Sequence, residues 1–276
     1  MFYRNLIKEI YYNITYPYYH SIRKIENYPK IIVLGNQKSG SSAIANLIAE
    51  YSDISRTIDI PEFIQYQSKI IKGEKNFSSF IKKYPYRFSK YLLKDNHFSF
   101  YINDVEQCFP DSYILFVMRH PLDNIRSILD RVNMSGTDII QSFNYIENKI
   151  EPNWKPILSN EFLPQISNKL LLYEGLAIRW KVAAQLYLKS KNKAQLVKYE
   201  EFDKNKMKTI QNICNLLNLK EKRDITPKLD YNFQQKGKNR NKNIIEFFDK
   251  EIIEKVEALC EEEMRELGYS FYSELY

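Results

Sequence analysis

Apolar residues in this chain fall into two patterns. Short unbroken blocks such as Ile31–Leu34 and Tyr113–Met118 alternate with longer stretches in which apolar positions recur every three or four residues. A short block suits a strand buried on both faces, and the longer spacing suits a helix with one buried stripe. The blocks predict strands at 31–34, 57–60 (ending at Pro61), 112–118 and 194–199. A further short strand begins at Leu92 and runs into the polar Lys94-Asp95-Asn96-His97. The spacing predicts a helix after Gly40 with Ala43, Ile44, Leu47, Ile48 and Tyr51 on one face. It predicts others over 64–92 and 98–109, from Pro121, over 170–190 with Leu172, Leu176, Trp180, Ala183 and Tyr187, over 206–217 and over about 249–267. Strands alternating with helices indicate an α/β fold, three layers α/β/α around a central parallel sheet.

Two stretches break the alternation. Residues 1–29 are rich in tyrosine and isoleucine and carry Phe2, Leu6, Ile10 and Ile14 at helical spacing. They read as a helical lead-in packed on the domain, with a membrane-surface or partner-binding helix as the alternative. Residues 135–168 hold Trp154 and prolines at 152, 156 and 164, and read as an insertion over the ligand edge on the substrate side.

Composition narrows the organisation. With 276 residues but only 7 glycines and 10 prolines, the chain has little room for linkers and reads as one domain over 1–276. The hydrophobic share of 44% supplies the core. A net charge of +7 suits an anionic ligand, an anionic polymer or an acidic membrane surface and does not choose among them. Cys108, Cys214 and Cys260 are far apart and lack metal spacing, so they read as reduced thiols, and His20, His97 and His120 are too scattered for a metal site. No run approaches the roughly 18 apolar residues of a membrane span. Arg4, Lys8 and Glu9 interrupt any signal-like stretch, so a cytoplasmic protein is expected.

The candidate chemistry begins at residues 30–51, KIIVLGNQKSGSSAIANLIAEY. A strand, a glycine-bounded loop and a helix make a phosphate cradle, in which backbone N–H groups and the helix N-terminus face an anion. Lys38 adds a charge, and Ser39, Ser41 and Ser42 add hydroxyls. The nucleotide P-loop places its lysine after the second glycine. Here Ser41 and Ser42 follow Gly40, and the lysine lies inside the loop, which argues against nucleoside triphosphate hydrolysis. A second element follows the 112–118 strand: Arg119-His120-Pro121-Leu122-Asp123-Asn124-Ile125-Arg126-Ser127. Pro121 suits a first helical turn, so Arg119 sits where a strand's carboxyl end meets a helix, the usual ligand edge. A ligand with two separated anionic ends would meet both elements. Asp59 and Glu62, beyond the 57–60 strand, open on the same edge.

Read together, these elements resemble the sulfotransferase family that uses 3′-phosphoadenosine 5′-phosphosulfate. The family's strand–GxxKSGTT–helix is similar to Gly35-Asn36-Gln37-Lys38-Ser39-Gly40-Ser41-Ser42, with serine twice in place of threonine. Its strand–RxPxDxxxS is matched in full by Arg119 to Ser127. Tyr199-Glu200-Glu201-Phe202 resembles its Tyr-Glu-Asp-Leu segment, and Lys236-Gly237-Lys238 more weakly resembles a late Arg-Lys-Gly segment. The resemblance spans residues 30 to about 268, with both cofactor motifs inside 30–130, and implies the P-loop NTPase-like sulfotransferase fold.

It also implies roles. Gln37, Lys38, Ser39, Gly40, Ser41 and Ser42 would hold the 5′-phosphosulfate. Arg119 and Ser127 would hold the 3′-phosphate, with Tyr199, Lys236, Gly237 and Lys238 as further donor-binding residues. Lys38 would stabilise the leaving oxygen, and 3′-phosphoadenosine 5′-phosphate would be the product, with no metal required. The implied general bases are Glu62, then His97, then Asp59. His97 lies one residue off the family's Lys-Thr-His region, and Lys94 is a candidate helper beside the sulfate. Trp180 reads as core, with stacking on adenine as the alternative. The acceptor would be a hydroxyl or amine on a carbohydrate or small molecule. No nucleic acid partner is expected, and peripheral membrane contact stays open. The rival readings are a P-loop small-molecule kinase and a non-catalytic nucleotide- or nucleic-acid-binding protein using the basic 236–242 segment.

Overall fold

A computed structural model describes residues 29–275 apart from 137, 162, 164–169, 232 and 234–242. The lead-in read from residues 1–29 lies outside them save for Pro29, as do Lys236, Gly237 and Lys238.

The sheet is organised by the alternation along β1 (Ile31–Gly35), every residue of which is buried. Ile31 and Val33 pack on one face with Leu92, Leu115, Val117 and Val197. Ile32 and Leu34 pack on the other with Leu93, Ile114, Phe116 and Met118. A strand with apolar residues in both registers can only sit between two helical layers. Its neighbours are β2 (Arg56–Ile58), β3 (Leu92–Lys94), β4 (Tyr113–Met118) and β5 (Ala194–Lys198). The five run parallel in the order β2-β3-β1-β4-β5. The chain leaves β1 to one side for β2 and β3, then crosses to the other for β4 and β5. Winding reverses at the carboxyl end of β1, where open α/β sheets form their ligand crevice.

One helical layer contains α1 (Ser41–Tyr51), α7 (Tyr199–Lys204) and α8 (Lys206–Leu216). The other contains α2 (Pro61–Ile71), α3 (Phe77–Lys83), α4 (Ile102–Cys108), α5 (Pro121–Arg131), α6 (Leu172–Lys189) and α9 (Lys250–Glu266).

Three expected boundaries shift for local reasons. The helix expected over 64–92 is two: Gly73 turns the chain at φ 71°, and the Asn76 side chain then caps α3 by accepting from Ser79 N. The helix expected over 98–109 opens as a 3₁₀ turn, His97–Tyr101, before α4. The second strand ends at Ile58 because Asp59 takes φ 55°, which leaves the extended region. Trp180 is fully buried and its Nε1 donates to the Arg119 carbonyl oxygen at 2.8 Å, so it packs in the core and does not stack on a ligand. After α9 the chain turns at Gly268 and folds back onto the start of α5, where the Tyr272 hydroxyl donates to Asp123 Oδ2 at 2.8 Å. No helix among the described residues is long and apolar enough to cross a membrane.

Candidate functional site

The glycine-bounded loop follows β1 directly, and its backbone shape is set at two positions. Lys38 has φ 66° and Gly40, the N-cap of α1, has φ 93°. Left-handed turns of this kind curl a loop around an anion, and α1 opens directly after Gly40. Gly40 is required for a second reason: a Cβ there would lie 2.2 Å from the Tyr199 ring.

A web of asparagines holds the loop in place. Asn36 Nδ2 donates to Asn124 Oδ1 at 3.0 Å, and Asn124 Nδ2 donates to the Gln37 carbonyl at 2.8 Å. Asn96 Nδ2 donates to the Asn36 carbonyl at 3.1 Å, and its Oδ1 accepts from Ser41 Oγ at 2.7 Å. The Ser99 hydroxyl bridges Gly35 N and O. Both sequence motifs are therefore one hydrogen-bonded unit, since Asn124 belongs to the segment that begins at Arg119. Sequence reasoning passed over Asn36, Asn96, Asn124 and Ser99. Polar residues clustered just past strand ends were the available signal.

Arg119 lies at the end of β4 with its guanidinium over the Tyr199 ring, 4.4 Å from the centroid. Asp123, one helical turn on, sits 3.7 Å from it and also accepts from Arg126 at 3.2 Å. Glu200, in the segment after β5, accepts from His120 N at 2.8 Å and so ties that segment to the opening of α5. Tyr199 touches both anion-binding elements: its ring covers Gly40 and carries Arg119. Ser127 is half-buried, one turn beyond Asp123 on α5. A cavity of about 370 Å³ opens beside Asp123, between His120, Lys198, Glu200, Tyr269 and Tyr272. It lies away from the glycine-bounded loop.

The electrostatics of the loop are those of an anion site. Burial, then the charges of Arg131, Arg119 and Lys94, push Lys38 down to about 8. Arg131 is itself held by Glu151 at 3.0 Å and lies over Trp154, both in the stretch read from sequence as an insertion. Ser39 Oγ, Gln37 Nε2 and Arg119 Nε are buried and have no hydrogen-bond partner among the described residues. Buried polar atoms are normally paired. Unmet donors on both elements fit a ligand that accepts hydrogen bonds at two places.

The three base candidates sit in different surroundings. Glu62, in the first turn of α2, is ion-paired with Arg87 and accepts from the Tyr86 hydroxyl at 3.3 Å. His97 is buried, and burial with the charges of Arg179 and Lys94 pushes it down to about 3, so the ring is neutral at physiological pH. Asp59 is half-exposed and pairs with the buried Lys94 at 2.7 Å. Lys94 is the last residue of β3. Asp95, which sequence reasoning did not single out, is buried and clamps the edge: its Oδ2 accepts from Ile60 N and its Oδ1 from His97 N, both at 2.8 Å. Burial, then the Asp59 carboxylate, push it up to about 7.

A parallel sheet with a winding reversal, a glycine-bounded loop at that point and an arginine at the end of β4 define a class: α/β proteins with a P-loop-like anion cradle. Solved structures share the fold, and two of them illustrate it. A sulfotransferase from Alicyclobacillus acidocaldarius matches with a TM-score of 0.52 at 12% identity, over 88% of this chain and 97% of that one. Sulfotransferase STF9 from Mycobacterium avium matches with a TM-score of 0.53 at 12% identity, over 93% and 82%. No curated protein sequence matches this chain. The sulfotransferase domain family matches residues 28–243, so the chain belongs to the sulfotransferase family, whose activity is sulfuryl transfer.

Proposed function

We propose that the chain transfers a sulfuryl group from 3′-phosphoadenosine 5′-phosphosulfate to a hydroxyl or amine of a carbohydrate or small-molecule acceptor. The observation that carries this reading is Tyr199, whose ring contacts both the glycine-bounded loop and Arg119. Two cationic, hydrogen-bond-donating elements a ring's width apart suit a nucleotide with a phosphosulfate at one end and a phosphate at the other.

The donor supplies an activated sulfuryl group, and the chain's own residues do the rest. The loop from Gln37 to Ser42 holds the phosphosulfate. Lys38 stabilises charge on the leaving oxygen, a role that needs its ammonium and no proton transfer. Arg119 and Ser127 hold the 3′-phosphate. For the base we propose Asp59, ahead of Glu62 and His97, although the sequence placed it third of the three. Its carboxylate is half-exposed at the sheet edge and steadied by Lys94. Both carboxylates are ion-paired, but Asp59 is 52% exposed against 27% for Glu62, and the His97 ring, pushed down to about 3, is too weak a base.

The test is calorimetric titration with 3′-phosphoadenosine 5′-phosphate, ADP and ATP with magnesium. The wild-type chain is expected to bind 3′-phosphoadenosine 5′-phosphate without magnesium. Arg119→Ala is expected to weaken that binding about 10- to 100-fold, the size of one charged hydrogen bond, and to leave ADP binding unchanged. Preferred binding of magnesium ATP would overturn the donor assignment.

Affinity also depends on pH. The anion binds the ammonium form of Lys38, so affinity is flat below about 8 and falls as pH rises through that value. Titrations from pH 6.5 to 9.5 should show this fall in the wild type and not in Lys38→Met.

A further inference from the structure

The segment Gly268-Tyr269-Ser270-Phe271-Tyr272 lies beyond residues 28–243, the stretch that the family matches. It is nevertheless tied down from three sides. Lys198 Nζ, at the end of β5, donates to the Gly268 carbonyl at 3.1 Å. His120 Nε2, just before α5, donates to the Ser270 carbonyl at 3.0 Å. Glu257, on α9 and 2% exposed, accepts from Tyr272 N at 2.6 Å and from Ser273 N at 3.0 Å, one bond to each oxygen. The His120 ring also stands edge-on to the Tyr272 ring, with 4.7 Å between centroids. Together these contacts fix one side chain, and the Tyr272 hydroxyl donates to Asp123 Oδ2 at 2.8 Å. Burial, then the Asp123 charge, push the phenol up, so it stays protonated and donates.

Asp123 divides its two oxygens. Oδ2 takes the Tyr272 hydroxyl, whereas Oδ1 accepts from Arg126 at 3.2 Å and lies 3.7 Å from Arg119 Nη2. That last separation is an ion pair too long for a hydrogen bond. The Arg119 and Asp123 side chains are only 14% and 15% exposed, so water screens the pair weakly. Without the phenol, the carboxylate is free to turn and set both oxygens against the guanidinium, the bidentate pairing that arginine and carboxylate favour. A guanidinium paired in that way has given its charge and its donors to Asp123. With the phenol in place, Arg119 Nε is buried and has no acceptor among the described residues. We propose that Tyr272 is a positioning residue: its hydroxyl holds Asp123 off Arg119 and so keeps the arginine's donors for the 3′-phosphate. The proposal rests on the phosphosulfate-donor reading. It gives the segment after α9 a part in choosing a nucleotide that carries a 3′-phosphate over one that does not.

The test compares 3′-phosphoadenosine 5′-phosphate with ADP, which has no 3′-phosphate. Both are titrated calorimetrically into the wild type, Tyr272→Phe and the double variant Tyr272→Phe with Asp123→Asn, with thermal unfolding in parallel. Tyr272→Phe is expected to bind 3′-phosphoadenosine 5′-phosphate about tenfold more weakly, the size of one charged hydrogen bond, and to bind ADP as the wild type does. Adding Asp123→Asn is expected to bring the affinity back to within about threefold of wild type, because an amide offers Arg119 no charge to pair with. A merely structural role for Tyr272 would not produce that rescue. Unchanged binding in Tyr272→Phe, equal weakening of both nucleotides, further weakening in the double variant, or loss of the fold in Tyr272→Phe would each overturn the proposal and leave the donor reading standing. Failure of the wild type to bind 3′-phosphoadenosine 5′-phosphate overturns the donor reading, and the proposal with it.

Discussion

Replacing Lys38 with methionine should lower sulfuryl transfer about 10²- to 10³-fold, the loss that follows removal of one preorganised donor to a developing negative charge. Lys38 is inside the loop, at φ 66°, where its ammonium is crowded by Arg119, Arg131 and Lys94 and partly removed from water. That crowding is unfavourable in the free protein. It becomes favourable only when negative charge gathers at the site, and charge is greatest as the bond to the leaving oxygen breaks. The effect should therefore fall mainly on kcat. Methionine keeps most of the side-chain bulk, so folding should not suffer, and removing one of several crowded cations should hold or raise the melting temperature. Single-turnover release of 3′-phosphoadenosine 5′-phosphate, measured against a panel of carbohydrate and phenolic acceptors, reads the rate. A loss smaller than tenfold would take Lys38 out of the leaving-oxygen role.

Trp180→Ala should be the most damaging single change to the fold. The indole projects from α6 and is fully buried between the end of β4 and the returning C-terminal segment, with Tyr269 edge-on at 6.2 Å. Truncating such a residue costs about 3–5 kcal/mol. The lost bond from Nε1 to the Arg119 carbonyl adds about 1 kcal/mol. For a domain of this size the melting temperature should drop by about 10 °C or more. Trp180→Phe should recover most of the packing and none of the hydrogen bond. Because that bond holds the main chain of Arg119, Trp180→Phe should also weaken binding of 3′-phosphoadenosine 5′-phosphate, though less than Arg119→Ala does. Unfolding in urea and calorimetry on the same samples separate the two effects. Unchanged nucleotide binding in Trp180→Phe would show that Arg119 is placed without the indole.

The asparagine web bears on how such a site tolerates ligand exchange. Asn36, Asn96 and Asn124 satisfy the loop's backbone and one another with neutral hydrogen bonds. The loop's shape is thus fixed before any anion arrives, while the buried Ser39 hydroxyl has no partner among the described residues. This division matches the requirement for preorganisation, in which donors need not be turned or dehydrated at the moment of reaction.

Much of this was legible along the chain because it depends on neighbours in sequence. Strand blocks, helical spacing, the glycine-bounded loop and the Arg119–Ser127 segment are local patterns, and a short apolar block between turn residues has few ways to be buried. The parallel direction of the strands followed from the same alternation, and their order did not. Other features depended on residues that meet only after folding. Glu62 read as an open carboxylate until Arg87, 25 residues away, closed on it. His97 read as a possible base until packing stripped its water and set two cations near it. Arg179 occupies the apolar stripe of α6, between Leu176 and Trp180, and nothing local distinguishes it from a misplaced surface charge. Only the tertiary structure brings it to Gln37, 142 residues earlier, where no described carboxylate pairs with it. The division is physical. Local hydrogen bonding and periodic burial set the elements, whereas ion pairing and desolvation depend on distances that the packed layers alone determine.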